Sequence, residues 1–148
     1  MRLRIPPVVQ VLLFSSAMLV ISRDAVKANF SFTGINEFAL TCLIGGVVMI
    51  CSGIITFSKA KITVSPLHPD KASSLVTMGI YQYMRNPMCF GLLLILFSFG
   101  LYLQSLASMF VLPIYVWFIS KYQIMKEEEA LYKVFGDDYK NYQGRVRR

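Results

Sequence analysis

The sequence predicts an all-α membrane protein with about four transmembrane helices, a long cytoplasmic loop and C-terminal helices. Hydrophobic residues make up 55% of the 148 residues and charged residues only 16%, and the mean hydropathy is +0.55. A soluble domain of this size needs more charge to cover its surface. A soluble helical domain with a large core is disfavoured because the apolar residues form unbroken blocks and not a stripe of helical period. The length suits one domain over residues 1–148.

The net charge and the cysteines argue against several classes of function. The net charge is +7, but the positive residues lie beside apolar blocks, where they set membrane orientation and attract anionic lipid headgroups. Cys42 and Cys51 lie in one apolar block and Cys89 begins another, without a CxxC motif and with a single histidine in the chain. We therefore expect no nucleic-acid partner, no metal site and no disulfide framework.

Two uncharged blocks in the first half of the chain predict transmembrane helices over residues 5–22 and 38–57. Each block is close to the roughly 20 residues that a helix needs to cross a bilayer. The first block also resembles a cleavable signal peptide, since two arginines precede it and an imperfect small-residue site, Ala25-Val26-Lys27-Ala28, follows it. A retained first helix is favoured because the apolar run is long for a signal peptide.

The second half begins with a polar loop over residues 58–87 and continues with two predicted spans, 88–103 and 106–119. Asn86 and Pro87 predict the start of the third span, because Asn is a common N-cap and Pro fits the first helical position. A two-residue turn joins the two spans, which must therefore be antiparallel neighbours. The helical pattern then continues into two shorter C-terminal helices.

Lysines and arginines predict the orientation of these spans. The N-terminus, the 58–87 loop and the C-terminal tail are basic, whereas the other connections carry little net charge. Four spans place all three basic segments on one side, which is the cytoplasmic side by the positive-inside rule. Both termini, the loop and the C-terminal helices are thus expected in the same compartment.

Charged residues at the membrane boundary are the first candidates for a site. Arg85 closely precedes the third span, and Glu127, Glu128 and Glu129 follow the fourth. The ends of a helical hairpin are neighbours, so Arg85 is expected within reach of the glutamates. Ionisable groups at this depth are costly unless they are paired or face a wet cavity. A structural ion pair, a snorkelling arginine and a solvated glutamate face stay open as alternatives to a binding site.

Two further side chains have both a ligand-binding and a bystander interpretation. The aromatic face of Tyr81 could hold a sulfonium or ammonium cation, although tyrosines near a membrane surface commonly form an aromatic belt. His68 is the one histidine, and a single loop histidine is more often a bystander than a catalyst. The sequence contains no nucleophile elbow, phosphate-binding glycine loop or dinucleotide fingerprint.

Two motifs occupy the regions 67–91 and 127–148. The first reads Leu75-Val76-Thr77-x-Gly79-Ile80-Tyr81-x-Tyr83-x-Arg85-Asn86-Pro87-Met88. The second reads Glu127-Glu128-x-x-Leu131-x-x-x-Phe135-Gly136-x-x-Tyr139-x-x-Tyr142-x-x-x-Val146-x-Arg148. Together they resemble the signatures of the integral-membrane methyltransferases, which include isoprenylcysteine carboxyl methyltransferase, phospholipid N-methyltransferases and small bacterial relatives. The resemblance covers residues 58–148, and the N-terminal spans match only in hydropathy.

This resemblance implies a helical membrane domain whose cytoplasmic loop binds S-adenosylmethionine, with S-adenosylhomocysteine as the product. It implies a cofactor site made of Leu75, Val76, Thr77, Gly79, Tyr81, Arg85, Asn86, Pro87, Gly91, Glu127 and Glu128. It also implies catalytic roles for Arg85 and Glu128. The implied partners are the lipid bilayer and a lipophilic small-molecule or prenylated acceptor.

Three positions depart from the family pattern. Asn86 stands where the family often has His, and an amide cannot titrate near neutral pH. Cys89 stands where the family often has Tyr, which removes an aromatic wall and a hydroxyl group. Leu67 stands where many bacterial relatives have His, so no role is assigned to the neighbouring His68.

The implied function is S-adenosylmethionine-dependent methyl transfer to a lipophilic or membrane-associated acceptor, with an isoprenylcysteine-type carboxylate favoured. A carboxylate needs no base, whereas an amine must lose a proton; amine, thiol and small-lipid acceptors stay open. One alternative is a membrane scaffold or cofactor-binding relative without turnover, for which Cys89 is the suspect position. Another is a small transporter or assembly subunit, which is disfavoured because its spans would be expected to carry charges.

Overall fold

The computed structural model describes residues 7–24, 32–62 and 75–146, and every regular element in these ranges is helical. The elements are α1 (Pro7–Asp24), α2 (Ile35–Ile62), a 3₁₀ turn (Gly79–Gln82), α3 (Pro87–Leu103), α4 (Leu106–Met109), α5 (Val111–Ile119), a π-helical turn (Ser120–Ile124), α6 (Met125–Phe135) and α7 (Asp137–Arg145). The prediction of an all-α fold is therefore confirmed. His68, Leu67 and the small-residue segment 25–28 lie outside the described residues.

The helix α2 contains the clearest membrane span of the described ranges. Its segment Ile35–Lys59 is 25 residues long and has a mean hydropathy of 2.4, which is long and apolar enough to cross a membrane. Large apolar side chains along it, such as Ile44 and Val48, are exposed on the protein surface. α1 and α3 contain shorter apolar stretches. Four spans and their cytoplasmic orientation stay predictions.

Two glycines allow α2 and α3 to approach closely. A Cβ atom added at Gly46 would lie 2.7 Å from the Gly91 carbonyl oxygen, and one added at Gly91 would lie 2.7 Å from the Gly46 carbonyl oxygen. Further along the same contact, Gly53 packs against Met88, whose Cγ would be 3.0 Å from an added Cβ. Small residues at a helix contact let the backbones approach and gain van der Waals contact. The close contact with α2 therefore fixes the position of the first residues of α3.

The predicted fourth span, residues 106–119, is two helices in the structure. α4 ends at Met109 and α5 begins at Val111. Pro113 gives the physical reason, because it has no N–H to donate and its ring crowds the carbonyl of Met109 four residues earlier. The turn before α4 is tight, as predicted, and Gln104 ends α3 there in the left-handed conformation with φ +49.

The core joins α1, α3, α5 and the π-helical turn. Its buried members are Met18, Leu92, Leu96, Val111, Tyr115, Ile119 and Ile124. Two buried serines connect helices through main-chain carbonyls: Ser108 Oγ donates to the Met18 oxygen at 3.1 Å, and Ser98 Oγ donates to the Ala39 oxygen at 2.6 Å. These bonds satisfy hydroxyl groups that would otherwise be costly inside an apolar bundle.

The C-terminal helices fold back on the loop that precedes α3. Gly136 ends α6 with φ +51 and begins the turn to α7. Behind the turn lies a small second core of Tyr139, Tyr142 and Val146, against which Leu75, Leu131 and Phe135 pack. The two sequence motifs therefore meet in three dimensions, because Leu75 comes from the first and the other members come from the second.

Candidate active site

An ion pair joins the start of α3 to the first turn of α6. Arg85 Nη1 donates to Glu128 Oε1 at 2.9 Å, and only 14% and 12% of the two side chains are exposed. A charge-assisted hydrogen bond with this little water around it is shorter and stronger than a neutral one. The structure thus brings together the two residues for which the sequence predicts catalytic roles, although those roles themselves stay predictions.

Two donors beside this ion pair are buried and have no hydrogen-bond partner within the described part of the chain, namely Arg85 Nε and Asn86 Nδ2. Asn86 holds the N-cap position of α3, as predicted, but its side chain makes no capping hydrogen bond. A buried donor without a partner costs about 1–3 kcal/mol. A ligand with acceptor atoms would remove that cost, so the pair of donors suits a carboxylate or a ring nitrogen.

A chain of amides reaches Glu127 from α1. Gln10 Nε2 donates to Gln123 Oε1 at 3.1 Å, and Gln123 Nε2 donates to Glu127 Oε1 at 3.4 Å. Gln10 is buried, and Gln123 lies in the π-helical turn. Neither glutamine was predicted from the sequence to belong to the site. The available signal was that Gln10 is the one amide in the apolar block 5–22.

Tyr81 is held in place by α7. The Tyr142 hydroxyl donates to the Tyr81 main-chain carbonyl at 2.6 Å. Burial raises the pKa of Tyr81 above its ordinary value, and Cys89 and Glu127 raise it further. Burial likewise raises the pKa of Tyr142 to about 12. Both phenols are therefore protonated near neutral pH and act as hydrogen-bond donors there.

The other loop residues of the predicted cofactor site differ in exposure. Leu75 packs under α7, Val76 is half-buried and Thr77 is exposed. Gly79 has φ +61, and an added Cβ would lie 2.8 Å from Thr56 Oγ1 of α2. This backbone conformation and this close approach both require glycine. Gly79 therefore fixes how the 3₁₀ turn with Tyr81 sits against α2.

Pro87 and Gly91 serve the contact between α2 and α3. Pro87 is buried at the first position of α3, close to Gly53, and Gly91 faces Gly46. The resemblance to the membrane methyltransferases implies that both line a cofactor pocket. The structure gives them a packing role, and their contact with a cofactor stays a prediction.

Comparison with known proteins matches residues 35–138 to the family described as phospholipid methyltransferase. The matched segment makes up more than half of the chain. The chain belongs to this family of methyltransferases. Family membership and the apolar helix α2 together identify a membrane protein.

Three curated relatives are isoprenylcysteine O-methyltransferases. Protein-S-isoprenylcysteine O-methyltransferase B of Arabidopsis thaliana is 28% identical over 139 residues, which cover 90% of this chain and 71% of that protein. The Schizosaccharomyces pombe protein-S-isoprenylcysteine O-methyltransferase is 27% identical over 118 residues, 80% of this chain and 50% of that protein. The Dictyostelium discoideum protein of the same name is 38% identical over 72 residues, 49% of this chain and 30% of that protein. No solved structure gives a significant match.

Proposed function

We propose that this chain transfers a methyl group from S-adenosylmethionine to the carboxylate of a prenylated cysteine. The observation that carries the proposal is the ion pair of Arg85 and Glu128 beside two buried donors without a partner in the described ranges. The names of the relatives support the reaction type and the acceptor class. We place the site on the cytoplasmic side of a single domain, 1–148, with four spans, because the basic segments favour that orientation.

The residues at the site fit the polar groups of S-adenosylmethionine. Glu127 and Glu128 offer acceptors for its ribose hydroxyls or amino group, and Asn86 Nδ2 offers a donor for its carboxylate or its adenine ring. Tyr81 offers an aromatic face for a sulfonium. When bound, this cofactor supplies a methyl group that already carries a good leaving group. The chain's own contribution is therefore alignment and exclusion of water more than acid catalysis.

Arg85 has one edge available for an acceptor carboxylate. Its Nη1 is engaged by Glu128, whereas its Nε is buried without a partner among the described residues. A guanidinium can bind two oxygens of one carboxylate through adjacent N–H groups, and such two-pronged contacts fix orientation. A carboxylate is ionised near neutral pH and needs no base to become a nucleophile. The geometry therefore favours a carboxylate acceptor over an amine.

An apolar groove between α3 and α5 supports a lipophilic acceptor. The groove is open to the surroundings and has a volume of about 670 Å³. Its lining residues are Leu93, Leu94, Phe97, Leu112, Pro113, Val116, Trp117 and Ser120. Ser120 begins the π-helical turn that also carries Gln123, the hydrogen-bond partner of Glu127. The groove thus includes a residue about two helical turns before Glu127, and this placement suits an acceptor with an apolar chain and a polar head.

The test is turnover by the purified protein in detergent with labelled S-adenosylmethionine and a panel of acceptors. We expect transfer to N-acetyl-S-farnesylcysteine and little transfer to N-acetylcysteine, which lacks the prenyl chain, or to phosphatidylethanolamine. Base-labile label would identify a methyl ester. Transfer to phosphatidylethanolamine alone would contradict the carboxylate acceptor. Absence of transfer to every acceptor, with S-adenosylhomocysteine still bound, would favour a relative without turnover.

A further inference from the structure

The buried amide of Gln10 needs an explanation other than helix packing. Gln10 is 5% exposed and lies in a helix whose neighbouring residues are apolar. Burying an amide costs free energy unless hydrogen bonds compensate, and an apolar side chain of the same size would avoid that cost. The hydrogen bond of Gln10 leads through Gln123 to Glu127, a residue of the candidate site. The hydrogen bond that Gln10 donates therefore connects a buried residue of α1 to the candidate site.

The direction of the two hydrogen bonds suits an ionised Glu127. Each glutamine donates its side-chain N–H toward α6, and a carboxylate at the end of the chain can only accept. Each hydrogen bond in such a chain polarises the next, so the chain orients the carboxylate more firmly than one bond alone. The rotamer of Glu127 is consequently tied to a residue of α1.

The π-helical turn places the middle member of this chain. In Ser120–Ile124 the helix widens by one residue, and the Met125 N–H bonds to the Ser120 carbonyl. Such a turn shifts the side chains that follow it around the helix axis, and π-helical turns occur frequently at functional sites. Gln123 lies inside the turn, between apolar α5 and charged α6. The π-helical turn thus sets the position of Gln123, the hydrogen-bond partner of Glu127.

We propose that Gln10 is a positioning residue, which acts through Gln123 to fix the Glu127 side chain for binding of the methyl donor. This inference rests on the proposed function. It extends the site to α1, which precedes the residues 35–138 that match the family. Gln10 touches neither the donor nor the acceptor in this account, and its effect is expected on donor affinity.

The first experiment compares Gln10→Met with Ser108→Ala. Each variant removes one hydrogen bond between α1 and another element, but the Ser108 bond is on Met18, eight residues along α1 from Gln10. We expect Gln10→Met to weaken S-adenosylhomocysteine binding about 10-fold, the lower end of the loss seen when a residue that orients a metal ligand is replaced. The KM for S-adenosylmethionine should rise by a similar factor while kcat changes less. Ser108→Ala should leave both constants unchanged, and equal effects of the two variants would overturn the proposal.

The second experiment is a double-mutant cycle with Glu127→Ala, read both by binding and by melting temperature. In the Glu127→Ala background, Gln10→Met should cause no further loss of S-adenosylhomocysteine affinity, and the two shifts in melting temperature should be non-additive. Additive shifts in melting temperature would overturn the proposal, whether or not the wild type binds S-adenosylhomocysteine. Non-additive shifts in melting temperature, together with no binding of S-adenosylhomocysteine by the wild type, would contradict the proposed function. They would still support the coupling of Gln10 to Glu127. If Gln10→Met does not fold, Gln123→Met replaces it in both experiments with the same expected results.

Discussion

Arg85 Nη1 lies 2.9 Å from Glu128 Oε1, although 43 residues separate the two in sequence. The bond connects the residue just before the N-cap of α3 with the first turn of α6, so the loop motif and the C-terminal motif meet there. It also leaves the Nε of Arg85 buried without a partner in the described residues. An ion pair that served only stability would not require a second, unsatisfied donor on the same side chain.

Arg85→Lys tests whether that donor is used. Lysine keeps the positive charge for Glu128 but removes Nε and the planar fork that binds two oxygens. We expect turnover with N-acetyl-S-farnesylcysteine to fall by about 100-fold, as for the loss of an oriented hydrogen-bond donor at the reacting group. The melting temperature should change little.

The control for this variant is Arg145→Lys, because Arg145 is exposed at the end of α7. Its turnover should equal that of the wild type. Wild-type turnover of Arg85→Lys would remove Arg85 from the reaction and leave it a structural residue.

Gly91→Ala tests the close approach of α2 and α3. Its new methyl group would lie 2.7 Å from the carbonyl oxygen of Gly46, so the helices must separate. We expect a loss of about 1–3 kcal/mol in the free energy of unfolding, typical of overpacking. Gly45→Ala is the matched control, because nothing lies within 4 Å of its added Cβ. Thermal unfolding in detergent measures both, and equal melting temperatures would contradict the packing account.

The sequence was sufficient for the helical fold, the start of α3 at Asn86 and Pro87, and the meeting of Arg85 with Glu128. These features depend on hydropathy blocks, local propensity and the adjacency of hairpin ends. It was insufficient for the amide chain, since nothing local marks Gln10 as the partner of Gln123, 113 residues later. The π-helical turn was also missed, because hydropathy blocks and local propensity do not distinguish it from an α-helical turn. Gly91 was assigned to the cofactor site because it belongs to the motif. A motif shows that a residue is required, but it does not show whether packing or binding requires it.

The docking of α7 should weaken at alkaline pH. Burial raises the pKa of Tyr142 to about 12, whereas an unfolded tyrosine ionises near pH ~10. Because ionisation is harder in the folded state, this contribution is complete below pH ~10 and is lost as the pH rises through about 12. Melting temperature against pH measures it.

Tyr142→Phe provides the control for this pH dependence. It removes the hydrogen bond to the Tyr81 carbonyl and should cost about 1 kcal/mol at neutral pH. It should also flatten the alkaline part of the profile, whereas Tyr132→Phe, at a half-exposed position of α6, should not. An unchanged alkaline profile in Tyr142→Phe would assign the transition to other groups.

Val116→Trp tests the groove between α3 and α5. The larger side chain fills space that the acceptor chain would occupy. We expect the KM for N-acetyl-S-farnesylcysteine to rise about 10-fold or more, since each buried methylene contributes about 0.8 kcal/mol. Affinity for S-adenosylhomocysteine should stay unchanged. Ile114→Trp, on an exposed part of α5 outside the groove lining, is the control; equal kinetic effects of the two variants would contradict the placement of the prenyl chain.

Calorimetric titration of S-adenosylhomocysteine into wild type, Glu128→Gln and Glu129→Gln tests the central claim most directly. Glu129 pairs with Lys133 on the exposed face of α6, so its substitution repeats the chemical change one residue away from the site. We predict micromolar binding by the wild type, about −8 kcal/mol, with Glu129→Gln unchanged and Glu128→Gln weakened at least about 10-fold by loss of the charged acceptor. Equal affinities in all three proteins, or no binding by a folded wild type, would contradict the account.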